Sequence, residues 1–161
     1  MRQTLIDAGH RLVWQQLPRD LRRSLLFSTS SLLAPSISRK AALAAPFIVV
    51  GALRSATGLG ESARLCLEAL KVLGMPVYGI DIGPALMQPE ANVAVEFEDG
   101  RHLMGAGTFI VHVNAPLMSL GMLSLPRSIV RGKRVVGYWA WELPEVPRDW
   151  LPGLAYVLVS S

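Results

Sequence analysis

The stretch from Phe47 to Asp81, FIVVGALRSATGLGESARLCLEALKVLGMPVYGID, leaves the chain few ways to fold. Phe47 to Val50 is an unbroken apolar run, the pattern of a strand covered on both faces. Leu65, Leu67, Ala69, Leu70 and Leu73 carry helical spacing on a segment opened by Glu61, and Gly74 stops that helix. Val77 to Ile82 then supplies a second strand with Asp81 near its carboxyl end. Strand, glycine loop, helix and strand make the first βαβ unit of a parallel sheet. Ligands of open α/β sheets bind at the carboxyl edge, where the Ser55 to Gly60 loop and Asp81 are expected to meet.

The first amides of a helix have no partners inside it and sit at the positive end of its dipole. Gly58, Leu59 and Gly60 can therefore present N–H groups to an anion, with Arg54 adding a charge. An alternative fits the spacing equally well, namely that Gly58 and Gly60 only let the chain turn back onto the sheet.

A chain of 161 residues is one domain's worth and can bury roughly 70% of its unfolded surface. Its composition, 51% hydrophobic and 17% charged, excludes wholesale disorder. The lone Cys66 excludes an internal disulfide framework and suits a reducing compartment as inert packing. Residues 1–45 hold seven Lys/Arg against two Asp (+5), leaving nine against ten (−1) in the rest of a chain whose net charge is +4. The basic character belongs to the leader, and no groove-reading motif accompanies it, so nucleic acid is not an expected partner. The longest apolar runs, such as Ala41 to Leu53 with Pro46 inside it, fall short of the roughly 20 residues of a membrane span. Arg22 and Arg23 precede LLFSTSSLLA too far into the chain for an export signal.

Residues 2 to 17 and 19 to 33 read as two amphipathic helices broken at Pro18, the second carrying Leu21, Leu25, Leu26, Leu32 and Leu33. Basic amphipathic helices can lie on an anionic bilayer, where each Lys/Arg contributes about 1 kcal/mol. They can equally pack on the domain or on a second one. Pro35 to Pro46 is a linker. After the second strand, alternating Val93, Val95 and Phe97 before Glu98-Asp99-Gly100 predict a small hairpin or a long solvated loop.

Thr108 to Val113 is a third strand, followed by Asn114-Ala115-Pro116 as cap and first turn of a helix reaching Leu123. This places His112 and Asn114 at the carboxyl edge. Val135 to Tyr138 is a fourth strand running into Trp139-Ala140-Trp141-Glu142-Leu143-Pro144, and Ala155 to Val159 a fifth. A parallel strand normally leads into a covering helix, so a sequence stopping at Ser160-Ser161 reads as part of something larger.

His10, His102 and His112 are scattered and no CxxC or HExxH motif occurs, so no metal is expected. A GxSxG elbow is also missing. Gly-Leu-Gly-Glu-Ser-Ala at 58–63 matches the dinucleotide pattern GxGxx[GA], with Asp81 twenty-three residues after Gly58 as the ribose carboxylate. Against it, the first glycine of that fingerprint normally ends the strand, and here Gly58 follows Val50 by eight positions.

The segment GALRSATGLGESARLCLEALKVLGMPV resembles the opening of the amino-terminal domain of GT-B-fold glycosyltransferases of family 4. GKRVVGYWAWELPEVPRDWLPGLAYVLVSS resembles a later signature of the same domain, with VHVNAP between them, so the resemblance covers about residues 47–161. It implies an α/β fold: a Rossmann-like, mostly parallel sheet of about five strands over residues 46–161, behind a basic helical leader and linker at 1–45. It also implies a transferase whose amino-terminal domain holds the acceptor, a glycan or lipid-linked molecule, while a carboxy-terminal domain, absent from this sequence, grips the nucleotide-sugar donor. No metal or other cofactor is implied, the nucleotide-sugar being a co-substrate. The site residues it suggests are His112 and Glu142 toward the acceptor as catalytic groups, Arg54, Gly58, Leu59 and Gly60 toward the diphosphate, and Asn114, Trp139 and Trp141 against the sugar. The expected location is the cytoplasm, peripheral on the inner face of the cell membrane. An NAD(P)-dependent oxidoreductase domain and a non-catalytic interaction domain remain the competing readings.

Overall fold

The computed structural model describes residues 16–37, 41–91 and 93–140. Four strands, β1 (Phe47–Gly51), β2 (Val77–Asp81), β3 (Thr108–His112) and β4 (Arg134–Tyr138), form a wholly parallel sheet in the order β2-β1-β3-β4. The fifth strand expected at Ala155 to Val159 lies outside the described residues, as do the first leader helix up to position 15, Trp141 and Glu142.

Helices cover both faces, which is why the strands read as continuous apolar runs. Alternate residues of β1 part to opposite sides: Ile48 and Val50 join Ile80, Phe109, Val111 and Val135 beneath Met118, Met122 and Ile129, whereas Val49 joins Leu53, Ala63 and Leu67. The first layer is made by α1 (Arg19–Leu33), α3 (Ala115–Leu123) and the short α4 (Arg127–Val130); the second by α2 (Gly58–Val72). Cys66 packs in the second layer, where burial pushes its thiol up.

Helix α2 begins three residues before the point its apolar periodicity suggests. Thr57, in extended conformation, accepts from the Gly60 amide through its hydroxyl at 3.1 Å, an N-cap that places both glycines inside the first turn. Gly74 at φ +68° ends it beyond Leu73, as expected.

Two open alternatives are narrowed. Val93 to Phe97 forms no hairpin: the segment runs alongside the free edge of β2, where Gly79 pairs with Asp99 in a parallel bridge and donates its amide to the Glu98 carbonyl at 2.9 Å. Covering an edge strand in this way satisfies backbone groups that a two-stranded excursion would have left exposed. α1 packs against α3, yet its described leucines stay exposed to different degrees. Leu32 is 84% and Leu33 54% exposed, while Ser30 is the buried residue among the side chains described there. The linker is also pinned, because the Thr108 hydroxyl donates to the Ala44 carbonyl at 2.8 Å and accepts from its amide at 3.0 Å.

Candidate functional site at the carboxyl edge of the sheet

Strand order fixes where a site can form. The chain leaves β1 toward β2 on one side and leaves β3 toward β4 on the other, so the loops after β1 and β3 diverge and open a crevice between them. A cleft of about 300 Å³ occupies this position, walled by Thr57, Gly58 and Leu59 after β1, His112, Asn114 and Leu117 at and after β3, and Leu86 and Gln88 after β2.

The register sets Asp81, Gly51, His112 and Tyr138 side by side in one row across this edge. Gly51 makes room in that row, since a Cβ there would lie 3.1 Å from the Ala63 Cβ and 3.4 Å from the His112 Cβ. The start of α2 can consequently sit directly over the strand end. That approach brings Ser62 to His112, with Oγ 3.2 Å from Nδ1. Tyr138 closes the other side, its ring centroid 4.8 Å from that of the imidazole with planes tilted by 30°. His112 is only 3% exposed, and its Nε2 is buried without a hydrogen-bond partner among the described residues. Burial pushes the imidazole down from its ordinary value of 6.5 to about 4, so the ring is neutral at pH 7.

The loop from Ala52 to Thr57 is held from three directions. Arg64 donates from α2 to the Leu53 and Ser55 carbonyls at 2.9 and 3.0 Å while pairing with Glu61 at 2.6 Å. Asp81 Oδ1 accepts from the Arg54 and Gly83 amides at 3.4 and 3.3 Å, and the Ala91 amide donates to the Arg54 carbonyl at 2.9 Å. Asp81 thus lies where the sequence placed it, beside the loop, and is spent on holding backbone.

The two glycines of the loop part company. Gly60 is buried, and a Cβ there would fall 2.6 Å from the Ala52 carbonyl oxygen and 2.7 Å from that of Ser55. Its amide is taken by Thr57, so it serves the turn. Gly58 lines the cleft, and a Cβ there would meet nothing within 4 Å. Its amide and that of Leu59 are among those a helix start leaves without internal acceptors.

Of the other residues singled out in the sequence, Asn114 lines the cleft at the N-cap position of α3 without capping it. Its Oδ1 instead accepts from the Ala140 amide at 3.0 Å, tying the ends of β3 and β4 together. Arg54 turns aside, its guanidinium carbon 5.3 Å from the Phe97 ring centroid. Trp139 is half-buried directly after β4, with Nε1 lacking an acceptor among the described residues. The structure therefore brings together His112, Asn114, Gly58 and Leu59 and adds Ser62, Tyr138 and Gln88, which sequence reasoning passed over. Ser62 stands four positions after Gly58 in a helix, and only the fold shows that its hydroxyl meets a histidine fifty residues away. Among the described residues no group of three or more His, Cys, Asp or Glu could hold a metal ion, and no helix is long and apolar enough to cross a membrane.

Comparison with protein families, characterised proteins and solved structures gives no match to this chain.

Proposed function

We propose that this domain is the acceptor-side half of a two-lobed glycosyltransferase that moves a sugar from a nucleotide-sugar to a glycan or lipid-linked acceptor. The observation that carries the reading is that His112, a residue lining the switch-point cleft, has a buried Nε2 with no partner among the described residues. A buried polar atom without a partner costs about 1 to 3 kcal/mol, and a ligand hydroxyl reaching it removes that cost. Gly58 and Leu59 offer amides to an anionic group on the opposite wall.

Each part has a role in glycosyl transfer. Neutral His112 hydrogen-bonds the attacking hydroxyl, with Ser62 and Tyr138 fixing the ring. A base this weak suffices because the hydroxyl becomes acidic only as its bond to the oxocarbenium-like carbon forms. The helix-start amides stabilise charge developing on the leaving diphosphate. Asn114 orients a sugar hydroxyl. Trp139 follows β4 at the same edge, and Trp141 and Glu142 come next in the chain. A companion lobe facing the cleft supplies the remaining donor contacts. The exposed leucines of α1, on a helix that also carries Arg19 and Arg22, support a peripheral position on an anionic inner membrane face. The engagement of Asp81 with loop amides favours this reading over a dinucleotide site, which needs that carboxylate for a ribose.

The test is NMR titration with UDP- and GDP-sugars, simple glycosides and NAD(H). Sugar ligands are expected to move the Gly58, Leu59 and Asn114 amides and the His112 ring. Micromolar binding of NAD(H), with no response to any sugar nucleotide or glycoside, overturns the proposal.

A further inference from the structure

At the opposite edge of the sheet, the loop after α1 and the short helix α4 enclose a second hollow of about 340 Å³, lined by Ala34, Pro35, Ser36, Arg127 and Arg131. The two arginines stand four positions apart across α4, a spacing that puts side chains on one side of a helical turn. Arg127 is anchored, one terminal nitrogen donating to the Leu33 carbonyl at 3.1 Å. That contact caps the end of α1 and leaves the rest of the fork available. Arg131 is not among the described ion pairs, which include Arg64 with Glu61, Lys71 with Glu68 and Arg101 with Asp99.

The walls are firm. Pro35 is buried, and Ala34 and Ile37 pack against the larger core cluster, so the arc carrying the Ser36 hydroxyl is held at both ends. No carboxylate of the described residues lines the hollow. Asp20, the acidic residue described on α1, lies thirteen residues before Leu33, about 20 Å along the helix axis. Two arginines line one concavity with no carboxylate of the described residues beside them, an arrangement that attracts an anion. A tetrahedral dianion suits them, because a guanidinium fork matches two phosphate oxygens at once and a serine hydroxyl can donate to a third.

We propose that this hollow is a phosphate-binding site, separate from the switch-point cleft, that takes a phosphomonoester or diphosphate group on Arg127, Arg131 and Ser36. The group can belong to a soluble phosphate ester or to a phosphomonoester lipid headgroup, and the chemistry of recognition is the same.

Pyrophosphate titration followed by calorimetry and by amide chemical shifts tests it. Pyrophosphate is expected to move the Ser36, Arg127 and Arg131 amides. Arg131→Gln, which leaves the Arg127 cap on Leu33 in place, is expected to weaken binding about tenfold or more, as loss of a charge-assisted contact does. Lys71→Gln, on α2 and lining neither hollow, is expected to leave it unchanged. Displacement of pyrophosphate by vesicles containing phosphatidic acid, but not by pure phosphatidylcholine, assigns the lipid source, and lack of displacement by either assigns the soluble one. The proposal fails if pyrophosphate leaves the three amides unmoved, or if Arg131→Gln binds it as tightly as the parent protein while retaining the parent circular dichroism spectrum.

Discussion

Two ionisable side chains are buried at opposite ends of the same sheet, and they are buried on different terms. Lys133, just before β4, is fully inaccessible, yet its ammonium donates to the Leu103 carbonyl at 2.9 Å and the Gly105 carbonyl at 3.0 Å and lies 5.7 Å from the Phe109 ring centroid. His112, the last residue of β3, has one nitrogen matched by Ser62 and the other matched by nothing among the described residues. Burial pushes both groups below their ordinary values. The lysine has been given acceptors by the loop it holds, so its burial is explained by the fold. The histidine lines a cleft, and among the described residues nothing accounts for its second nitrogen. An incompletely satisfied polar group in a concave site is better evidence of a ligand than burial or a shifted pKa.

The contrast can be broken most forcefully at the lysine. Lys133→Met strips the Leu103 and Gly105 carbonyls of a charged donor and should lower the unfolding free energy by about 3 kcal/mol in urea titration. A loss below about 1 kcal/mol would show that water or another donor already serves Leu103 and Gly105, and the two sites would then not differ in kind.

For the histidine the expected signature is a pH dependence. The folded value of about 4 lies below the ordinary 6.5, so between these limits the unfolded chain binds more protons. Stability contributed by the neutral ring is therefore fully present above pH 6.5 and is lost as pH falls toward 4, by about 3 kcal/mol in all. His112→Gln should flatten the curve of unfolding free energy against pH across that window. A curve unchanged by the substitution would mean the ring is hydrated or paired when folded.

The two glycines of the loop sharpen the same distinction on a smaller scale. Gly60→Ala forces a methyl against two backbone oxygens and should cost about 2 kcal/mol, whereas Gly58→Ala should change stability by less than about 0.5 kcal/mol while altering any ligand titration in the cleft. Equal effects of the two on thermal unfolding would remove the assignment of one glycine to the turn and the other to the site. The smallest effect is expected at Ser62. Ser62→Ala removes one hydrogen bond, about 1 kcal/mol, but should visibly shift the ¹⁵N resonances of the His112 ring, because the tautomer loses the partner that selects it.

Much of the architecture was legible because it is written in short-range pattern. The apolar runs at 47–50, 77–82, 108–113 and 135–138 became the four strands within a residue or two. Their continuity announced a sheet covered on both faces. The helix after the first strand was legible in its middle and its stop, but its start was not, because the cap is a Thr57 hydroxyl rather than an apolar repeat. Val93 to Phe97 left a hairpin and a long loop both open for a different reason: period-two alternation marks an extended chain, and the partner it lies beside is decided elsewhere. The leucines of α1 left bilayer and domain both open, since helical spacing identifies a helix without saying which side meets the domain. The site was half legible. Gly58, Leu59, His112 and Asn114 were marked by their place at strand and helix ends, which strand order carries to one edge.

The amino-acid order by itself settled that this chain makes a parallel α/β sheet and which rim of it gathers the loops, because strand length, apolar continuity and helix stops act over a few residues. Tertiary structure alone decided which glycine meets solvent and which meets backbone. It also set Ser62 against His112, fifty positions apart, and Arg127 against Leu33, ninety-four apart. Contacts at such separations depend on sheet register and on how closely helices approach, and no local pattern encodes either.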